Sequence, residues 1–486
     1  FQYEPWFGSR YVEEDIAQSF RELWRNPPEI DASLHLPSQN EFIPSDFSIR
    51  ASDTCVDDFA NSTSPRCLID EALIKFWYKP DSTFKVPRAN TYFRITMKGG
   101  YADVKSCVLS ELFIHLLKDE LNEITYQASI AKLETSVTYV GDMLELKVYG
   151  FNEKLPVLLS KFFSVSKSFM PTDDRFKVIK EDMKRALKNA NMKPLSHSTY
   201  LRLQVLCESF YDADEKLHYL NDLFLDDLKA FIPGLLSQIY MEGLCHGNLS
   251  KEEAIGIAKI FKMNFPVNPL PIELRHAERV ICLPSSANLV RDVNVKNKSE
   301  KNSVVELYFQ IEQDFGLGTK EQLGYVVECS PRVTYRISGF CFCVQSSEYH
   351  PVYLQSRIEN FLNGLEELLD GLDGDSFENY KSGLMAKLLE KDPSLTYESN
   401  RLWNQIVEKR YIFDLSKKEA EELKNISKHD VVEWYKTYLK PSSPKCRQLL
   451  IRLWGCNTDL KEAEALPKSV QSCHDCWGTI HILIMN

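Results

Sequence analysis

From residue 66 onward the spacing of apolar positions becomes regular, and its period changes several times along the chain. "EALIKFWYKP" (71–80) and "TYFRITMKGG" (91–100) are rich in β-branched and aromatic residues and predict strands. Residues 102–121 carry apolar side chains at helical spacing and predict one long helix. "ETSVTYVGDMLELKVYGF" (134–151) alternates on both sides of Gly141–Asp142, the pattern of a hairpin turning at that dipeptide. Four or more helical stretches follow to about residue 263, and the Pro-rich "FPVNPLPIE" (265–273) then breaks the pattern. Residues 1–65 show little periodicity. "NPPEI", "LHLPSQNEFIPSDF" and "NSTSP" read there as an extended linker wrapping over other surfaces, after a short helical start at 11–25.

The second half of the chain repeats this order. Phe176, Lys180, Met183 and Leu187 return as Phe377, Lys381, Leu384 and Leu388, each 201 positions later. Leu220, Leu223, Leu228 and Phe231 return as Leu423, Ile426, Val431 and Trp434, each 203 positions later. "VTY" at 137–139 returns at 333–335, and "PV" at 156–157 returns at 351–352. Spacings near i, i+4 and i+7 put each helical set on one buried face. The fold class this implies is α+β: two homologous domains, each an antiparallel-rich sheet covered by helices on one face. Their expected bounds are 66–263 and 276–455, with a connector at 264–275, the linker segment 1–65 in front and a tail at 456–486. One element is missing from the second copy. Tyr92 and Leu121 are 29 residues apart, whereas Tyr308 and Leu323 are 15 apart, so the helix of 102–119 has no counterpart before Thr319. Its loss is expected to bare several hundred Å² of apolar sheet face, a severe cost at about 25 cal/mol per Å².

Composition narrows the function classes. A chain of 486 residues with 44% hydrophobic content can build two or more cores. The net charge of −11 argues against nucleic-acid binding, which needs a surplus of Lys and Arg. No run of 18 apolar residues exists to span a membrane. The 13 cysteines are scattered and mostly within apolar runs (Cys107, Cys207, Cys341, Cys343), as in a reduced intracellular protein. With no visible signal peptide in "FQYEPWFGSRYVEED", the expected compartment is the cytoplasm. The lone CxxC, Cys473 and Cys476, lacks the second pair or strand–helix context of a zinc or redox site.

Candidate chemistry is thin. His115 and Asp119 could share a helix face, but two groups do not hold a metal. His246 in "CHGNLS" precedes a helix that Asn248 or Ser250 would cap, a structural role. No HExxH, HxxEH, GxSxG or GxxxxGK[ST] occurs. "GLGTKEQLGY" (316–325) lies between two strand-like runs and lacks the third glycine of a dinucleotide fingerprint.

Five stretches together carry more information: "TKEQLGYVV" (319–327), "SGFCFCVQS" (338–346), "PVYLQSRIENFL" (351–362), "MEGLCHGNLS" (241–250) and "LPSQNEFIPSDF" (36–47). As a set they resemble the pitrilysin–insulysin–nardilysin family of zinc metallopeptidases, most closely its plant nardilysin-like and insulin-degrading-enzyme-like members. The resemblance implies a four-domain clamshell around a peptide-cutting chamber, of which this chain is similar to the end of the second domain, the linker, and the third and fourth domains. In the family the zinc ligands, an HxxEH and a later Glu, lie in the first domain, so no cofactor is expected in this chain. The C-terminal half of the family supplies a motif in which an Arg helps hold the substrate and a Tyr hydroxyl stabilises the oxyanion. Tyr325 matches that Tyr, and Lys320, Glu321, Gln322 and Gly324 match its substrate-binding neighbours. The Arg position is Gly318. The tail "SCHDCWGTIHILIMN" resembles no family ending, and with the lost helix it suggests a truncated isoform. The resemblance therefore implies a peptidase half with no activity alone. The alternative is a non-catalytic subunit that binds peptides and pairs with an HxxEH-bearing half or with itself.

Overall fold

The computed structural model describes residues 1–29, 39–50, 64–141, 143–275, 278–311, 326–458 and 471–472. The chain divides into two compact units, Phe1–Glu41 and Phe42–Asn486. In the first unit β1 (Gln2–Tyr3) pairs antiparallel with β2 (Arg10–Tyr11), and Gly8 takes the positive φ of 66° that the turn between them requires. Helix α1 (Gln18–Arg25) follows, so the helical start expected at 11–25 forms only from residue 18.

The second unit holds two sheets. The first segment runs β3 (Arg66–Asp70), β4 (Ile74–Pro80), β5 (Arg88–Met97), α2 (Val104–Glu120), α3 (Asn122–Ile130), β6 (Leu133–Val140), β7 (Met143–Phe151) and α4 (Leu155–Ser168). It continues through α5 (Asp173–Lys188), α6 (Pro194–Leu206), α7 (Ala213–Asp222), α8 (Leu225–Leu235), β8 (Gln238–Gly247), α9 (Lys251–Asn264) and β9 (Asn268–Pro269). The second segment runs β10 (Asn288–Asn294), β11 (Ser303–Ile311), β12 (Val326–Thr334), β13 (Ile337–Ser346), α10 (Pro351–Gly371) and α11 (Gly374–Leu388). It closes with α12 (Leu395–Val407), α13 (Leu415–Asn425), α14 (Lys428–Tyr438), β14 (Gln448–Trp454) and β15 (Gln471–Ser472).

Strand order shows the duplication directly. The first sheet reads β3-β4-β8-β5-β7-β6 with β9 beside β8, and the second reads β12-β13-β11-β14-β10-β15. Reading the second backwards from β10, both share a five-strand path of one parallel and three antiparallel pairings. Tyr92 faces Leu244 and Lys147 across its neighbours, and Tyr308 faces Leu449 and Cys341 at the corresponding places.

The helices repeat too, down to a polar device. Lys180 of α5 donates from Nζ to the Asn221 and Leu223 carbonyls at the end of α7, at 3.0 and 2.6 Å. Lys381 of α11 does the same to Lys424 and Ile426 at the end of α13, at 3.1 and 3.2 Å. These carbonyls lie where a helix runs out of internal donors, so a cation there satisfies them and complements the helix dipole. The 201 and 203 offsets thus mark spatially equivalent residues. The "VTY" offset does not. Val140 pairs with Met143 at one hairpin and Thr334 with Ile337 at the other, so Val137 corresponds to Pro331, and Tyr335 sits in the turn with φ 45°. A slip of two keeps the same face of a strand, which is why the alternation alone did not expose it.

Each sheet packs its own helices on one face. In the first, α2 is apolar nearly all round, burying Val108, Leu112, Phe113 and Leu117 among others, because it lies in a packed core with α5, α7 and α8 around it. The opposite face is covered by a single helix from the other repeat. Helix α6 lies on β11 and β14 of the second sheet, and α12 lies on β5 and β8 of the first. Leu201 and Leu206 join Tyr308, Leu449 and Ile451 in one cluster, while Leu402, Trp403 and Ile406 join Tyr92 and Leu244 in the other.

The connection 312–325, where the helix is expected to be missing, lies outside the described residues. On the sheet, β12 is less covered than β6, with Val327 half-buried where Leu133 is buried, while the central strands stay covered. Phe309, Ile311, Phe340 and Phe342 stay buried, because α10 and α14 bring Phe361 and Trp434 against them. The helices equivalent to the neighbours of α2 are less covered as well. Phe176, Met183, Leu220, Leu223 and Leu228 are buried, whereas Phe377, Leu423, Ile426 and Val431 are only half-buried and Leu384 is 37% exposed.

Candidate functional site

Tyr325, with Gly318, Lys320, Glu321, Gln322 and Gly324, lies outside the described residues. What is described begins one residue later. β12 is an edge strand, paired only with β13 among the described residues, and it carries Pro331, which an edge tolerates because no ladder donor is needed there. Glu328 and Arg332 pair at 2.6 Å along it, with Ser330 between them. Its hairpin turns through Tyr335 and Arg336, both at positive φ. Behind it, a Cβ at Gly339 would fall 2.1 Å from the Tyr308 ring, so only glycine lets β13 pass over that side chain.

The richest polar chemistry lies in the seam under the exchanged helices. On the first sheet Lys79 pairs with Glu398 of α12 at 3.0 Å, their side chains 2% and 10% exposed. His246 of β8 places Nδ1 2.8 Å from Ser399 Oγ and Nε2 3.7 Å from Glu398. Asn90 donates to Ser399 Oγ at 2.8 Å, and Ser399 donates to the Leu395 carbonyl at 2.8 Å. Glu242 accepts from Trp77 and Tyr411, and burial raises its pKa. On the second sheet Arg202 of α6 donates to Glu306 of β11 at 2.6 Å and lies over the Tyr308 ring.

Ser399, His246 and Glu398 together invite comparison with an acyl-transfer triad. The surroundings exclude that use. Ser399 and His246 are fully buried, and the serine proton is committed to the Leu395 carbonyl rather than to the imidazole. Burial, reinforced by Lys79 and Arg401, holds the His246 pKa well below its ordinary value. No substrate carbonyl reaches the hydroxyl. The group fastens α12 to the sheet.

The remaining histidine readings resolve simply. Ser250, not Asn248, caps α9, accepting from the Glu253 amide at 3.1 Å in a capping box. Asn248 instead accepts from the Arg50 amide and donates to the Ser48 carbonyl. Asp119 is held by Arg175, with Nε at 2.6 Å. Among the described residues no three His, Cys, Asp or Glu side chains gather where they could hold a metal ion, and the full sequence has no HxxEH. The described residues offer no ligand set for a catalytic zinc. No described helix is long and apolar enough to cross a membrane. The His246–Ser399–Glu398–Lys79 network joins residues as much as 320 positions apart, and sequence reading missed it. Its one signal is that His197–Ser198 and Glu398–Ser399 occupy the same places in the repeat, a polar pair recurring 201 positions later.

Comparison with known proteins matches two parts of the chain to family models. Residues 1–219 match the family model described as the middle or third domain of peptidase_M16, and residues 309–403 match one described as PQQ synthase PqqF-like, C-terminal lobe domain 4. The chain is 62% identical to a nardilysin-like protein of Arabidopsis thaliana, covering 98% of this chain and 48% of that one. It is 30% identical to human insulin-degrading enzyme, covering 96% and 49%. The chain thus spans about half the length of the curated relatives it matches. Among solved structures, pitrilysin superposes with a TM-score of 0.78 at 19% identity over 90% of this chain and 48% of that one, a likeness of fold.

Proposed function

Because this chain belongs to the pitrilysin–insulysin–nardilysin family of metallopeptidases, with its third and fourth domains, we propose that it forms the half of a peptide-cleaving chamber that carries no zinc ligands. The observation that carries this reading is the pairing of two interlocked sheet repeats with a full sequence lacking HxxEH. The domain bounds we assign are 66–263 and 276–455. The metal belongs to a partner half, which would supply the activated water. This chain contributes wall surface and the segment entering β12. Tyr325 would donate its hydroxyl to the oxyanion, with Lys320, Glu321, Gln322 and Gly324 shaping the peptide contact. Gly318 in the Arg position removes one substrate grip, and this favours a second reading: a non-catalytic subunit that binds peptides without promoting their cleavage. A reducing, cytoplasmic setting suits the described cysteines, all of which are free.

The test is peptide cleavage by the purified chain, alone and mixed with a separately made HxxEH-bearing half of a family member. The proposal expects no cleavage alone and chelator-sensitive cleavage on mixing, reduced roughly 10²–10³-fold by Tyr325→Phe. Chelator-sensitive cleavage by the chain alone, lost in Tyr325→Phe, would overturn it. Complex formation without cleavage would select the second reading.

A further inference from the structure

The seam between the repeats is built twice from equivalent parts. Helix α6 lies on β11 and β14, and α12, its counterpart 201 positions on, lies on β5 and β8. Leu201 clusters with Tyr308 and Leu449 as Leu402 does with Tyr92 and Leu244. A reciprocal contact of this kind is the geometry of a two-fold dimer, here closed within one chain. One loop completes the closure. The Ile281 amide is held by the Leu206 carbonyl at the end of α6, and the Ala287 carbonyl by the Gln448 amide of β14, both at 2.7 Å. Pro284, Ser285 and Ser286 between them are exposed, and Ser286 takes a φ of 58°, an uncommon state for a residue with a Cβ.

The buried charges of the seam are not repeated, and they make it selective. Lys79 of the first sheet pairs with Glu398 of α12 at 3.0 Å, whereas α6 carries His197 at that place. Glu306 of the second sheet accepts from Arg202 of α6 at 2.6 Å, whereas α12 carries Trp403 there. Two first repeats seated on each other would bury Lys79 without a carboxylate, and two second repeats would bury Glu306 without its cation. Each repeat therefore accepts only the unlike one. That unlike repeat can come from either of two copies. We propose that the seam takes a second copy of this chain as its partner. When two chains fold close together, the first repeat of each seats on the second repeat of the other, and the loop 284–286 straightens to connect them. Both seams of this closed dimer are the intrachain seam unchanged. The short loop favours closure within one chain, by an effective concentration of roughly millimolar, so exchange belongs to crowded folding. Once formed, the dimer reverts only by opening both seams. This inference goes beyond the peptidase reading and does not depend on it.

The experiment uses two variants of the full chain, Arg202→Glu and Glu306→Arg. The first carries carboxylates at both places and the second guanidinium groups, so neither closes its own seam. An exchanged pair of the two has opposite charges at both seams. Each variant is unfolded in urea and refolded at about 50 μM, alone and mixed in equal amounts with one chain labelled with heavy nitrogen. Native mass spectrometry then counts the species. The expected result is a one-to-one heterodimer in the mixture, at least about tenfold more abundant than any dimer of either variant alone. Both substitutions on one chain report whether the reversed pair is tolerated, and that double variant should fold as a monomer. If it does not fold, the parent with Ser285 and Ser286 deleted decides. Labelled and unlabelled copies of it, refolded together, should give mixed dimers about tenfold more abundant than those of the intact parent. No heterodimer while the double variant folds, or no mixed dimers of the shortened-loop chain, would overturn the proposal. Dimers that form on mixing native chains without unfolding would also overturn it, since those use an outer surface.

Discussion

Arg202→Met tests the exchange of helices at its most charged point. Arg202 belongs to the first repeat and Glu306 to the second, and their side chains are 4% and 2% exposed at 2.6 Å. Arg202 Nη1 and Glu306 Oε2 find no hydrogen-bond partner, so the pair is only partly satisfied. Removing the cation leaves a carboxylate buried beside Cys341, whose Sγ lies 3.6 Å away, with the Arg332 guanidinium acting on it only from a distance. The expected loss is about 3–5 kcal/mol. Replacing both groups, Arg202→Met with Glu306→Met, removes the desolvated charges together and fills similar volume. That double variant should return to within about 1 kcal/mol of the parent. Equilibrium urea unfolding followed by tryptophan fluorescence and far-ultraviolet circular dichroism measures both. Because the partners sit on different repeats, the two signals should shift together. A double variant as unstable as the single one, or a single variant costing less than about 1 kcal/mol, would refute the reasoning.

Other predictions follow from the same seam. The depressed His246 pKa means the unfolded chain takes up a proton first as pH falls below about 6.5, so stability present above that pH is lost below it, at up to about 1.4 kcal/mol per unit. His246→Gln should flatten the dependence of urea midpoint on pH between about 6.5 and 5. His197, lowered to about 4 mainly by burial, should keep a residual slope of the same sign in that variant. Trp403→Ala removes a ring packed edge-to-face on Tyr92 at 5.9 Å and a bond to Glu145, and should cost about 3–5 kcal/mol in the same unfolding assay. Alkylation of native protein followed by peptide mass analysis should modify exposed Cys456 while sparing Cys107, Cys207, Cys245, Cys341 and Cys343 until denaturant is added. Burial pushes Cys107 up to about 12 and Cys207 to about 11, which further suppresses their thiolates.

The duplication was legible because its signals are local. Phe176, Lys180 and Met183 recur at a helical spacing that two turns of chain can enforce, and the interval between Tyr308 and Leu323 is shorter than that between Tyr92 and Leu121. The exchange of α6 and α12 was not legible. Both helices have the ordinary apolar face of a helix packed on its own sheet, and nothing in Leu201 or Leu402 says which sheet it meets. The continued cover of the central strands was hidden for a related reason. Coverage of Phe340 and Phe342 depends on Phe361 and Trp434, whose distance in sequence hides their contact. Of the candidate site, the absence of HxxEH and the Gly318 substitution were readable one residue at a time, whereas the Lys79–Glu398–His246 network exists only after folding.

The reciprocal helices also set a timetable for biosynthesis. By the time α9 ends at Asn264, the first sheet has all its strands but β9, yet Tyr92 and Leu244 lack their cover until α12 is complete at Val407. That interval is roughly 140 residues, or on the order of 7–30 s of translation. During it an apolar strand surface stands open on the nascent chain. A ribosome that pauses within the second repeat would prolong that state, and synonymous codon changes between residues 265 and 407 become a lever on yield that leaves the finished protein identical.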